Sequence, residues 1–199
     1  YTFQRPSGTF QTVNVVGRTD YDNDDLTLLY FDQDVTGCSI FKVMPQGGLE
    51  TYSPSLANPD RDGHIPVLRH ARHTAAGTKS DSGSTSDMHF QISFIMSVAA
   101  DTDTTTKLTN GTSDTQNGDI VTRFSDWRHY VGLGGDSGGP SFILVNGEPV
   151  LVGLQSVPTA AANVDIYTAT INNEMNVQAA TSQGTYALQH PDLSAFAVF

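Results

Sequence analysis

Cysteine is nearly missing from this sequence: Cys38 is the only one. An internal disulfide and a cysteine-based zinc site are both excluded. No histidine lies close to Cys38 in sequence to activate it, so it reads as a small buried thiol rather than a nucleophile. Positive charge is scarce too. Ten Lys and Arg face 21 Asp and Glu, for a formal charge of −11. Phosphate-binding proteins need a basic face, so this balance argues against nucleic acid or an anionic membrane as a partner. Acidic excess of this kind mainly serves solubility, with an acidic binding surface as the alternative. No apolar run approaches the ~20 residues of a membrane-spanning helix. No signal-peptide pattern opens the chain at Tyr1, so the leader of a secreted form would already have been removed. One cysteine suits either redox compartment.

Hydrophobic residues make up 38% of the chain and charged residues only 16%. Polarity is carried by Thr, Ser, Asn, Asp and Gly, a balance that favours strands and turns over helical bundles. Short apolar runs recur between turn formers at 12–16, Leu26–Phe31, 39–44, 90–98 and 120–124. These predict an all-β fold. The clearest local structure is a hairpin: 141–145 and 149–154 flank Asn146-Gly147, and both turn residues tolerate positive φ. Residues 75–87 and 100–119 read as polar surface loops, and 171–180 as the one helix.

Chemistry concentrates at Gly134-Gly135-Asp136-Ser137-Gly138-Gly139-Pro140. A serine among glycines sits where backbone can bend tightly and approach a substrate closely. The amides of Gly135 and Ser137 can then face one concavity, as an oxyanion hole requires. The alternative, a mere turn into the hairpin, does not need two glycine pairs. Asp81-Ser82-Gly83 repeats the core triplet, but in a Ser/Thr/Gly-rich loop with no strand leading out, so it reads as structural.

Gly135-Asp136-Ser137-Gly138-Gly139-Pro140 resembles the nucleophile motif of the chymotrypsin/trypsin-like serine proteases. The following hairpin, 141–154, is similar to the one after that motif. Leu151-Val152-Gly153-Leu154-Gln155-Ser156 resembles the strand lining the family's substrate cleft. Ile166-Tyr167-Thr168 resembles its pocket-closing strand, and Asn23-Asp24-Asp25-Leu26-Thr27-Leu28-Leu29 the segment bearing its triad aspartate. The likeness spans about residues 10–175 and is most specific at Gly135–Pro140.

The resemblance implies an all-β, chymotrypsin-like double antiparallel β-barrel with its first barrel incomplete. Residues 1–35 would be the remainder of that barrel, 36–175 the second barrel and 176–199 a C-terminal extension. It implies an endopeptidase acting on polypeptides through an acyl-enzyme, with no cofactor and no metal. Ser137 would be the nucleophile, Asp25 the residue orienting the general base, and Gly135 and Ser137 the oxyanion hole. Val131 would lie at the base of the substrate pocket and Ser156, Val157 and Pro158 along its wall. Asp165, two before Tyr167, would face that base and could select Arg or Lys. Asp136 would pair with a freed N-terminus rather than act chemically. Extracellular location follows from the family alone. The alternating Asp20, Asp22 and Asp24 also hint at calcium, but the Gly and terminal Glu of a calcium loop do not follow. Asn110-Gly111-Thr112 is a glycosylation acceptor only in a host that glycosylates.

One departure from the family matters. Its catalytic histidine precedes the aspartate, and here all six histidines (His64, His70, His73, His89, His129 and His190) follow Asp25. Three arrangements fit. The histidine lies in an N-terminal segment or partner chain outside this sequence, the chain is an inactive relative serving as a binding or structural module, or a later histidine serves a rearranged triad. Arg69-His70-Ala71-Arg72-His73 is the crowded candidate for the last, and otherwise reads as a solvated basic loop without a third zinc ligand nearby. The first arrangement predicts that Leu26–Phe31, otherwise an exposed apolar edge, is buried by something outside the chain.

Overall fold

The computed structural model describes residues 1–21, 26–52, 65–71, 89–98, 106–107, 114–115, 120–123, 138–157, 160–182 and 187–196. The protein is all-β in class. Two short strands, β1 (Thr2–Gln4) and β2 (Phe10–Thr12), pair antiparallel, as do β3 (Val15–Tyr21) and β4 (Leu26–Phe31). The main sheet comprises β5 (Lys42–Val43), β6 (Ile65–Ala71), β7 (His89–Val98), β10 (Ile120–Arg123), β11 (Pro140–Val145), β12 (Glu148–Val157) and β13 (Ala160–Asn163). Between β7 and β10, β8 (Thr106–Lys107) and β9 (Asp114–Thr115) form a separate small ladder. The helices among the described residues are α1 (Gly48–Tyr52), α2 (Thr168–Ser182) and short 3-10 turns at Asp165–Tyr167 and Ser194–Phe196.

The strand order is β11-β6-β7-β10-β13-β12-β5, and β12 also pairs with β11. The ladder therefore returns to its first member through the Asn146-Gly147 hairpin. Asn146 has φ 52° and Gly147 φ 81°, the twist that a two-residue hairpin turn demands. Period-two alternation then sorts the faces: Ile143, Val145, Val150 and Val152 are buried while Leu144 points out. They join Met44, Leu49, Val67 and Ala161 in the main core.

A second cluster joins the β3–β4 hairpin to the sheet. Val43, Val164 and Ile171 are its centre, with Tyr21, Leu28, Leu151, Leu154, Tyr167, Met175 and Leu188 packed around them. Ile171 and Met175 lie four apart on α2 and so share a face. The apolar strand Leu26–Phe31 is thus covered in part by the chain itself: Leu26 is buried and Leu28 packs in this cluster. The tail also docks. The Val43 amide donates to the Gln189 carbonyl (2.7 Å), the His190 ring Nδ1–H to the Val43 carbonyl (2.8 Å), and Leu193 packs on the main core.

Several sequence expectations need correction. Arg69, His70 and Ala71 are strand, not loop, paired with Gln91, Phe90 and His89. Residues 160–163, an alanine-rich stretch outside the apolar runs read as strands, form β13, because β10 and β12 flank them and supply partners on both sides. Ile166-Tyr167-Thr168 is not a strand: Asp165–Tyr167 is a 3-10 turn running into α2. Within the expected loop 100–119, Thr106–Lys107 and Asp114–Thr115 pair.

Candidate active site

Immediately after Ser137 the backbone is held firmly. Gly138 takes φ 79°, and its amide donates to the Gln155 carbonyl at 2.7 Å. The Gln155 amide returns a bond to the Gly139 carbonyl at 2.9 Å. A Cβ at Gly138 would touch nothing within 4 Å, so dihedral angle rather than space requires glycine there. From this clamp β11 runs on in register with β12, Pro140 opposite Leu154 and Ser141 opposite Gly153. The Ser141 hydroxyl is buried with no hydrogen-bond partner among the described residues.

Ser137, Gly135, Asp136, Val131, Asp25 and Pro158 lie outside the described residues, as do Ser82, His64, His73 and His129. Ser156 and Val157 end β12, where Val157 is opposite Ala160. His70 and His89 are strand residues of β6 and β7. Asp20, counted in the calcium-like spacing, is engaged in its hairpin by Arg18 (3.1 Å) and the Thr27 hydroxyl (2.9 Å).

Asp165, expected at the substrate pocket, is bonded within the fold. It is 2% exposed, and its Oδ2 accepts the Leu49 amide at the start of α1 (3.3 Å). Its own amide donates to the Asn163 side-chain carbonyl (3.1 Å), and its carbonyl accepts the Thr168 hydroxyl (2.9 Å). Through its carboxylate to α1 and its backbone to Asn163 and Thr168, Asp165 ties α1, β13 and α2 together inside the protein.

The β3–β4 hairpin, whose connection contains Asp25, carries a polar group that sequence reasoning missed. The Tyr30 hydroxyl donates to Glu174 Oε2 on α2 at 3.2 Å and lies 2.7 Å from Thr19 Oγ1. A phenol has one proton, so with that proton on Glu174 the Thr19 hydroxyl donates to Tyr30. Beside them, the Tyr21 and Tyr167 rings sit 5.0 Å apart. Burial pushes the Tyr21 phenol pKa up, and the neighbouring charges of Glu174 and Tyr30 add to the rise. Tyr30 and Glu174 stand 144 positions apart, so no local pattern could have joined them. The chain matches no protein-family profile and no curated protein with which it was compared.

Proposed function

We propose that this chain belongs to a serine endopeptidase of chymotrypsin-like architecture. The single observation behind the proposal is the cyclic ladder β11-β6-β7-β10-β13-β12, entered by the Gly138-Gly139 clamp directly after the serine of a Gly-Asp-Ser-Gly-Gly-Pro motif. In this reading the ladder is the second barrel, and β1 to β4 are what this chain holds of the first.

Ser137 Oγ attacks the scissile carbonyl while a histidine takes its proton. The amides of Gly135 and Ser137 receive the charge that develops on the carbonyl oxygen. The histidine then protonates the leaving amine, the C–N bond breaks and an ester to Ser137 remains. Water, deprotonated by the same histidine, hydrolyses the ester and regenerates Ser137. Asp25 holds the imidazole in the required tautomer and stabilises its charged form. That histidine comes from outside residues 1–199, on a preceding segment or a partner chain. Val131, Ser156, Val157 and Pro158 line the substrate pocket, the substrate is polypeptide and the site of action is extracellular. No histidine before Asp25 also suits a second reading, a non-catalytic module of this fold within a larger assembly.

A fluorophosphonate probe separates the two. In the full-length protein Ser137 should be labelled, and Ser137→Ala should abolish labelling. The chain 1–199 alone should label slowly, because an unactivated serine is a poor nucleophile at neutral pH. No labelling of Ser137 in the full-length protein, or equal labelling of Ser82, ends the protease reading and favours the module.

A further inference from the structure

A two-stranded hairpin is marginally stable by itself. The β3–β4 pair must therefore take its position from what it packs on, and α2 is the helix it touches by both polar and apolar contacts. Leu28 and Tyr21 pack against the cluster that holds Ile171, as does Met175, the Tyr21 ring leans on Tyr167, and the chain Thr19 → Tyr30 → Glu174 crosses from hairpin to helix. Thr19 and Tyr30 lie on the two different strands, so the network ties both strands to one carboxylate. Gly17, paired with Tyr30, makes room for it: a Cβ there would come within 3.2 Å of Tyr30 Cδ2. Any larger residue at 17 would press on the ring that carries the link.

We propose that Glu174 is a positioning residue: through Tyr30 it fixes the hairpin that carries Asp25 against the body of the protein. The inference rests on the protease reading for its catalytic consequence, but the attachment itself does not. In that reading Asp25 acts on Ser137 through a histidine, so a hairpin displaced by a fraction of an ångström misaligns the triad. Misplacements of about 1 Å can cost a hundredfold in rate.

The experiment uses the full-length protein with two readouts: the rate at which a fluorophosphonate labels Ser137, and amide hydrogen exchange in β3 and β4. Tyr30→Phe and Glu174→Ala should each slow labelling about tenfold and speed exchange in β3–β4 while β11–β12 stays unchanged. The double variant should be no slower than either single one, as expected for one shared interaction. Glu174→Gln keeps an acceptor for the Tyr30 hydroxyl and should restore most of the labelling, which a purely charge-based or bulk structural role would not do. Unchanged exchange in both single variants, additive losses in the double variant, or no rescue by Gln overturns the proposal. If native Ser137 is not labelled yet exchange responds as described, the protease reading falls and the attachment stands.

Discussion

Removing the Asp165 carboxylate tests whether that residue builds the fold or reads a substrate. Its side chain is 2% exposed and accepts the amide of Leu49, itself 0% exposed. Asp165→Ala leaves that amide buried without its acceptor, which costs about 1–3 kcal/mol. For a chain of this size each kcal/mol moves the melting temperature by about 2–4 °C, so Asp165→Ala should melt about 2–12 °C lower. Asp165→Asn keeps an oxygen for the amide and loses only the charge, so it should fall between wild type and Ala. Urea denaturation and thermal melts followed by circular dichroism give both numbers. Cleavage of matched peptides with Arg, Lys, Phe or Leu before the scissile bond gives the other half of the test. Asp165→Asn should leave the preference among these peptides unchanged. An Asp165→Ala protein as stable as wild type refutes the structural argument, and a preference for Arg or Lys that collapses in Asp165→Asn returns the residue to the pocket.

Two further outcomes follow from particular contacts. A Cβ at Gly48 would lie 2.6 Å from Met44 Sδ and 2.9 Å from Pro45 Cδ, and Met44 is fully buried. Gly48→Ala should therefore lose about 1–3 kcal/mol by overpacking, read from the urea midpoint. The backbone and side-chain amides of Asn14 (3.0 and 2.7 Å) hold the Asp32 carboxyl below the usual carboxylate range. A carboxyl whose folded pKa is depressed stabilises fully above its unfolded pKa, and that contribution is lost as pH falls through the folded value, below about 4. Asn14→Ala removes the side-chain donor and keeps the backbone one, so the Asp32 pKa should rise part of the way in an NMR titration; an unchanged value rejects the side-chain contribution.

Strands defined by apolar residues and bounded by strong turns were legible. Leu26–Phe31 matches its apolar run, β7 and β10 begin and end close to 90–98 and 120–124, and the Asn146-Gly147 hairpin has the turn its sequence demands. The helix begins three residues before the expected 171–180, since the Thr168 hydroxyl bonds back to the Asp165 carbonyl and starts it early. Illegible strands were those whose side chains argue against them. Arg69, His70 and Ala71 interrupt alternation, and alanine in β13 has little strand preference, so both are strands only because neighbours pair with them. Of the candidate site, the glycine dihedral at 138 followed from sequence because conformational need is local. The burial of Asp165 did not, because its partner Leu49 stands 116 positions away.

The returning ladder also dictates an order of events during synthesis. The hairpin of β11 and β12 can form as soon as both strands exist, since two residues separate them. Arg69 and Ser141 are register partners as well, but bringing them together closes a loop of roughly 70 residues, about 3 kcal/mol more in chain entropy than the hairpin turn. β13 must then fit between β10 and β12. Until Ala160–Asn163 has been made, the β6-β7-β10 ladder keeps an unpaired edge at β10, which invites pairing with another nascent chain. A chain of this topology should fold slowly and gain most in yield from low temperature or sparse expression, conditions that lengthen the wait between neighbours rather than strengthen any contact.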